Sequence, residues 1–290
     1  MHVRPIIVGY DGSDGAKEAL RWALDEAART DAPVTLLFAF EWPPVASTIA
    51  PLATTWPDPG VREEVRKMLD AAVLDARQTH PRVTVTGTVL DGPAAILLRE
   101  HSRHARLLVL GSRGHGGFAG LLLGSTTVTV SAHAHCPVVV VRGDQARPDG
   151  PVVVGVDGST YALLALEYAF AQAAARETAL RVVRACTPGS EGGQPGAESE
   201  EQTGAERAEL DEVLAGGRGR YPQLQVDVEM ITGPAGQVMV DASQDAQLVV
   251  VGSRGRGGFT GLLLGSISQQ LLHHAHCPVA VVRELPPTTD

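Results

Sequence analysis

The sequence predicts an α/β protein built from two tandem domains, each a doubly wound parallel sheet with helices on both faces. The stretch GSRGHGGFAGLLLGS at residues 111–125 returns 141 residues later at 252–266, with 13 of 15 residues identical. Such a repeat indicates a duplicated unit. In both halves, short β-branched runs alternate with longer Ala- and Leu-rich segments, which is typical of a parallel sheet covered by helices. We expect domain 1 at residues 1–143 and domain 2 at 150–290, each near the usual size of a single domain.

Hydrophobic periodicity predicts the elements of the first half in order. Helical patterns lie between strand-like runs, and the third helix is expected to begin with Pro93, a residue favoured at helix starts. The predicted strands are 4–9, 33–40, 82–90, 106–111 and 137–142, and the predicted helices are 14–30, 61–79, 93–104 and 124–134.

The second half repeats this order with strands predicted at 151–156, 179–185, 224–230, 247–252 and 278–283. Matching motifs show that the second copy is five residues shorter in the loop after its second strand. There, residues 187–204 are rich in Gly, Glu and Ser, and we expect a mobile, solvated loop because such a composition buries little apolar surface.

Composition excludes several classes of function. A net charge of −9 and an aromatic content of only 4% argue against a nucleic-acid-binding protein, because phosphate is repelled and bases find few stacking partners. No apolar run reaches the roughly 18 residues of a membrane span, and the N-terminus lacks a signal-peptide pattern. We therefore expect a cytoplasmic protein.

Cys136, Cys186 and Cys277 lack CxxC spacing, so we expect buried, reduced thiols.

The candidate site lies where two polar features follow strands. Asp11 and Asp157 follow the first strand of each copy, and the glycine-rich loops follow the fourth. Ligands of parallel sheets collect beyond the carboxyl ends of strands, where a carboxylate suits a ribose or a cation and loop N–H groups suit phosphate. A single such Asp is often only a turn or helix-cap residue. Its recurrence beside a recurring loop favours a ligand site.

The loops match neither common nucleotide motif. A Gly-Lys-Ser/Thr sequence is missing, so the loops are not of the Walker A type, and Arg113 and Arg254 are the nearest cationic substitutes. The glycines also follow the fourth strand instead of the first, which argues against a dinucleotide-binding dehydrogenase. Each loop ends at a Gly-Ser pair that opens a predicted helix, so a helix N-terminus faces the same place.

These residues resemble the universal stress protein family in its tandem-domain form. The family's pattern G-x2-G-x9-G-(S/T) is met at Gly111 and again at Gly252, and both halves carry the family-like openings Gly-Tyr-Asp-Gly-Ser and Gly-Val-Asp-Gly-Ser and His-Cys-Pro-Val endings. The resemblance covers both halves. It implies five-stranded sheets of order 3-2-1-4-5 and one site per domain for ATP, usually with Mg²⁺.

The resemblance also implies roles for individual positions. Asp11 and Asp157 would contact the ribose or adenine end, and the backbone at Ala39 and Ala185 would meet the adenine. The phosphates would be held in the first site by Gly111, Gly114, Gly124 and Ser125, and in the second by Gly252, Gly255, Gly265 and Ser266, with an added N–H from Thr126 and Ile267. His115 against Arg256 is the main difference between the loops, and Arg256 makes the second site more attractive to phosphate.

Several alternatives stay open at this stage. The His-Ala-His-Cys sequences before the last strands permit a zinc interpretation, although their position favours a helix end beside a buried strand.

Two functions fit the sequence. The protein is either a nucleotide-dependent regulator of stress response or growth, or an ATPase or autophosphorylating enzyme. Any such turnover is expected to be slow, because no dedicated base or nucleophile is visible. A third alternative is that one site has lost binding and serves only as a scaffold. Family members often pair domains through their last strands, so we expect intrachain pairing of residues 137–141 with 278–282, and a homodimer remains open.

Overall fold

Five parallel strands form the sheet of the first domain. The computed structural model describes residues 3–41, 59–114, 123–142, 147–186, 197–256 and 264–285. Within them, the first sheet has the order β3-β2-β1-β4-β5, and every neighbouring pair is parallel. Its strands are β1 (Ile6–Gly9), β2 (Val34–Phe40), β3 (Val85–Asp91), β4 (Leu107–Gly111) and β5 (Val138–Val141).

Helices cover both faces of this sheet. Gly87 packs against Leu69 of the second helix and is in register with Leu36, whereas Gly9 packs against Leu98 of the third helix on the opposite face. The first helix keeps small and apolar residues at the spacing of one helical face, so it buries Ala16, Ala19, Leu20, Ala23, Leu24 and Ala27. The helices are α1 (Asp14–Thr30), α2 (Pro59–Thr79), α3 (Ala94–Ser102) and α4 (Ser125–His133).

The second domain repeats the same arrangement. Its strands form the parallel order β8-β7-β6-β9-β10, which confirms the predicted order 3-2-1-4-5 in each copy. The strands are β6 (Val152–Gly155), β7 (Leu180–Cys186), β8 (Val226–Thr232), β9 (Leu248–Gly252) and β10 (Val279–Val282), and the helices are α5 (Thr160–Ala175), α6 (Ala197–Arg220), α7 (Ala235–Ala242) and α8 (Ser266–His274).

Two expectations about the elements need correction. The helix α6 begins at Ala197, so the predicted loop 187–204 extends at most to residue 196, and residues 187–196 lie outside the described part. Ala, Glu and Gln dominate the first turns of α6, and these residues favour a helix despite their low hydrophobicity. Pro93 is the N-cap of α3, with φ −62° and ψ 126°, instead of its first helical residue.

The cores of the two domains lie between sheet and helices. The chain divides into two compact units, one running to Arg142 and including Glu284, the other spanning Gly143–Arg283. Two of the thiols, Cys136 and Cys277, are buried as expected, but Cys186 is only half-buried because it ends β7. Burial raises the pKa of the Cys136 thiol to about 12. None of the helices in the described part of the chain is long and apolar enough to span a bilayer.

Candidate functional site

The second domain contains a cavity of about 640 Å³ at the carboxyl ends of its strands. Its wall includes the turn after β6, the loop after β9 and the first turn of α8, together with residues of β7, α5 and α7. The structure brings together on its wall all eight residues that the sequence singled out in this copy, namely Asp157, Ala185, Gly252, Arg254, Gly255, Gly265, Ser266 and Ile267.

Part of the cavity wall is apolar. Val183 and Ala185 of β7, Val251 of β9 and Met239 of α7 line it together with Leu264. An apolar wall that faces a few convergent polar groups is the usual composition of a small-molecule site. This wall suits a flat, weakly polar ring, whereas the loop side suits an anion.

Asp157 fastens the turn after β6 to the glycine-rich loop. Its Oδ1 accepts hydrogen bonds from the Ser159 N–H at 3.0 Å and the Ser159 hydroxyl at 2.6 Å, and its Oδ2 accepts one from the Arg256 N–H at 2.8 Å. Partial burial by itself raises the pKa of this carboxyl, but the three hydrogen bonds and the charge of Arg256 outweigh burial and lower it. Asp157 is therefore ionised at neutral pH and already heavily engaged within the protein.

The loop glycines are required by close contacts. A β-carbon on Gly255 would collide with Oδ2 of Asp157, and one on Gly252 would lie 2.7 Å from the carbonyl carbon of Tyr161. Both distances are shorter than real Cβ atoms allow. Glycine at these two positions lets the loop backbone lie directly on the turn after β6 and on α5.

The helix α8 points its N-terminus at the cavity without a side-chain cap. Its N-cap is Gly265, which makes no side-chain hydrogen bond, whereas α5 is capped by the Ser159 hydroxyl. The first N–H groups of a helix lack intrahelical acceptors and carry the positive end of its dipole. The buried Ser268 hydroxyl donates to the Gly252 carbonyl at 2.7 Å, which anchors this helix end to β9. The arrangement is suited to an anion.

The described part of the first domain repeats these contacts. The Ser13 N–H donates to Oδ1 of Asp11 at 3.0 Å, and a β-carbon on Gly114 would collide with Oδ2 of Asp11. The Gly124 N–H donates to the Ser112 carbonyl at 2.9 Å, as the Gly265 N–H does to Ser253 at 2.8 Å in the second copy.

The remaining predicted residues of the first copy lie at the same edge. A β-carbon on Gly111 would lie 2.6 Å from the carbonyl carbon of Gly15, and Arg113 is exposed beside it. Ser125 and Thr126 open α4, whose N-cap Gly124 makes no side-chain hydrogen bond. Ala39 lies near the end of β2, at the position that Ala185 occupies in β7. His115 lies outside the described residues.

Sequence reasoning missed several residues that shape the site. Ser159 orients Asp157 and caps α5, and Ser268, like Thr127 at 3.0 Å in the first copy, ties a helix to a strand end. Both copies keep a hydroxyl at the Thr127 and Ser268 position, and that recurrence is the signal that would have revealed them. Met239 carries no comparable signal, because an apolar side chain in a helix ordinarily indicates core.

The His-Cys sequences lie where helices meet the last strands. His133 is the last residue of α4, and its Nδ1 lies 2.8 Å from the Thr129 carbonyl oxygen, one helical turn earlier. The backbone N–H of His135 donates to the Ser102 hydroxyl at 2.8 Å. Among the described residues, the structure forms no group of three or more His, Cys, Asp or Glu residues able to hold a metal ion.

Comparison with known proteins gives a consistent result for the whole chain. The family model described as the universal stress protein family matches residues 2–142 and 150–283. A universal stress protein of Mycobacterium tuberculosis is 35% identical over 294 residues, with 96% of each chain covered. A universal stress protein of Mycolicibacterium smegmatis is 36% identical over 293 residues, again with 96% of each chain covered. The crystal structure of a universal stress protein from Archaeoglobus fulgidus has the same fold, with a TM-score of 0.68 and 18% identity, covering 98% of this chain and 99% of that one.

Proposed function

Because this chain belongs to the universal stress protein family, we propose that it binds ATP in each domain and acts as a nucleotide-dependent regulator of stress response or growth. The observation that carries the proposal is the cavity of the second domain, which is lined both by apolar side chains and by a helix N-terminus without a side-chain cap. Its volume of about 640 Å³ lies within the range of small-molecule sites.

The chemistry of the cavity wall fits the parts of a nucleotide. The N–H groups of the glycine-rich loop and of Ser266 and Ile267 are suited to the phosphates, with Arg254 supplying positive charge. The apolar wall beside Ala185 is suited to the adenine, which leaves the ribose near Asp157. Asp157 is the only carboxylate among the described residues of the wall, so a Mg²⁺ ion would be held mainly by phosphate and water.

A regulator is favoured over an ATPase by the state of that same carboxylate. Hydrolysis needs a base that can take a proton from water near neutral pH. Asp157 is a poor base because hydrogen bonds lower its pKa and occupy both of its oxygens. We infer that ATP acts as a ligand, and that any hydrolysis or autophosphorylation is slow.

The first experiment is to denature the purified protein and to identify and count the released nucleotide by chromatography and mass spectrometry. Dialysis against Mg-ATP follows, with measurement of bound nucleotide and of phosphate release. We expect two ATP per chain without sustained phosphate release. Sustained turnover would favour the ATPase, and a chain that retains no adenine nucleotide in either experiment would contradict the proposal.

Matched substitutions assign the two sites. Gly114→Ala places a methyl group against the carboxylate of Asp11, and Gly255→Ala places one against that of Asp157. Each should therefore reduce the stoichiometry from two to one, and the double variant to zero. Gly219→Ala is the control, because a β-carbon there meets nothing within 4 Å. An unchanged stoichiometry in both single variants would show that the sites are assigned wrongly.

A further inference from the structure

The proposed function places the adenine on the apolar wall of the second cavity. The residues Gly155, Val183, Ala185, Val251 and Met239 line this part of the cavity, which is named the base recess here. Val183 lies in register with Gly155, so both face the same side of the sheet as Ala185, two residues further along β7. The Sδ and Cε atoms of Met239 would each lie 3.1 Å from a β-carbon on Gly155. The size of these side chains decides how much room a base has.

The first copy carries larger side chains at two positions of the base recess. Leu37 takes the place of Val183, since each lies in register with the last residue of the first strand of its copy. Leu110 takes the place of Val251, since each directly precedes the glycine-rich loop of its copy. Both leucines are buried. Each adds one methylene group to this face of the first sheet.

The contacts at the strand ends show where the added volume lies. A β-carbon on Gly9, the last residue of β1, would lie 2.6 Å from Cδ2 of Leu110. A β-carbon on Gly155, the last residue of β6, would lie 3.6 Å from Cγ1 of Val251. The leucine therefore reaches further over the strand end, and in the second copy this strand end is part of the cavity wall.

The helix that covers this face does not offset the difference. Leu98 of α3 lies against the glycine that ends β1, and Met239 of α7 lies against the glycine that ends β6. Leucine and methionine exchange with little change of volume. The alanine near the end of the second strand is the same in both copies. The strand residues therefore make the recess of the first copy the smaller one.

We propose that the two sites bind ATP with unequal affinity, the second more tightly than the first, and that the side chains at the Val183 and Val251 positions set the difference. The inference rests on the proposed function, which places the adenine in the base recess. One methylene group in an apolar pocket changes affinity by about 10- to 200-fold. The sites then fill in order as the ATP concentration rises, and the chain responds over two concentration ranges.

The test isolates each site in the full chain by closing the other. Isothermal titration calorimetry measures the dissociation constant of Mg-ATP for Gly114→Ala, which keeps the second site, and for Gly255→Ala, which keeps the first. We expect the second site to bind Mg-ATP at least about tenfold more tightly. Mg-CTP is titrated in parallel, because its pyrimidine ring is smaller and needs less room. For Mg-CTP the ratio between the two dissociation constants should fall towards one.

Exchanges between the copies assign the difference to the base recess. In the chain that keeps only the second site, Val183→Leu and Val251→Leu should each weaken Mg-ATP binding about tenfold. In the chain that keeps only the first site, Leu37→Val and Leu110→Val should each strengthen it. Circular dichroism shows which variants are folded. Because the exchanges run in both directions, a variant that does not fold leaves its reciprocal to decide.

Val182→Leu is the matched control for Val183→Leu. Val182 precedes Val183 in β7, so its side chain lies on the opposite face of the sheet, and it is not among the described residues of the cavity wall. The first copy has Leu36 at this position, so the control makes the same exchange between the copies. Val182→Leu should leave the affinity for Mg-ATP unchanged.

The outcomes separate this inference from the proposed function. If neither site binds Mg-ATP, the proposed function fails. If both sites bind it equally, or if Mg-CTP shows the same difference as Mg-ATP, the inference is overturned while the proposed function stands. Exchanges that fold but leave the difference in place also overturn the inference. The same holds for a first site that binds no Mg-ATP and gains none from Leu37→Val or Leu110→Val.

Discussion

At the scale of single residues, Asp157 is the carboxylate in the described wall of the second site. The resemblance to the family implies that it contacts the ribose or adenine end. The structure adds that it joins two backbone segments by accepting hydrogen bonds from Ser159 and Arg256. Only the ionised carboxylate accepts hydrogen bonds at both oxygens. Protonation of Asp157 therefore weakens the hydrogen bonds that connect the turn after β6 to the loop after β9.

Replacing this carboxyl should change the pH dependence of stability. The folded-state pKa of Asp157 is lowered, so its contribution is present above the unfolded value of about 3.9 and is lost as pH falls through the folded value. Asp157→Asn should destabilise the chain by about 1 kcal/mol at pH 7, the usual value of one lost hydrogen bond. In urea unfolding followed by circular dichroism, the difference from the unsubstituted chain should narrow below about pH 4.

Asp245→Asn provides the matched control for this substitution. Asp245 is exposed and forms a surface pair with Arg147 at 3.5 Å, an interaction that is usually worth little. The unfolding midpoint of the Asp245→Asn variant should stay close to that of the unsubstituted chain at each pH. A pH-independent difference for Asp157→Asn would show that the carboxylate is not the stabilising species.

At the scale of elements, the site depends on how helix ends are anchored to strand ends. Ser268 is only 2% exposed, and its hydroxyl is bonded to the Gly252 carbonyl. Ser268→Ala should cost about 1 to 2 kcal/mol, because a buried acceptor loses its partner. The same substitution should also weaken nucleotide binding at the second site, because the N-terminus of α8 is then held less firmly in position at the cavity.

The duplication supplies the control for this prediction. Ser268→Thr introduces the residue that the first copy has at Thr127, whose hydroxyl bonds to the Gly111 carbonyl at 3.0 Å. This variant keeps the donor and should lose much less stability in urea unfolding. If Ser268→Thr were as destabilising as Ser268→Ala, packing around the side chain, not the hydrogen bond, would explain the loss.

The sequence predicted the elements well because their signals are local. Short β-branched runs predicted every described strand to within about three residues. The start of α6 was missed because Glu-rich segments suit both a solvated loop and an exposed helix. The contacts of Arg256 with Asp157 and Gly158 join segments about 100 residues apart, and no local pattern encodes them.

At the scale of the whole molecule, the duplication predicts two separate ligand responses. Saturating Mg-ATP, at about 100 times the dissociation constant, stabilises a one-site domain by about 2.7 kcal/mol. Differential scanning calorimetry of the unsubstituted chain should therefore show a midpoint higher by several degrees. Gly114→Ala and Gly255→Ala should each retain part of the shift, and the double variant should retain none.

Mg²⁺ without nucleotide is the control for this experiment, and it should leave the midpoint nearly unchanged. A full shift in either single variant would mean that one domain accounts for all binding and that the other serves as a scaffold. The expected pairing of residues 137–141 with 278–282, and any homodimer, remain predictions from the sequence.

The turn that carries the aspartate is covered by different chemistry in the two copies. The guanidinium of Arg256 lies on Gly158, whereas the sulfur of Met68, from α2, lies on Gly12 with no room for even a β-carbon between them. Methionine is readily converted to its sulfoxide by peroxides, and the added oxygen makes the side chain larger and polar. An oxygen added to this sulfur would have to be accommodated beside Gly12 by a movement of the Met68 side chain or of the turn that holds Asp11. We expect oxidation of Met68 to disturb the first copy of the site, whereas the guanidinium at the same place in the second copy does not undergo this reaction.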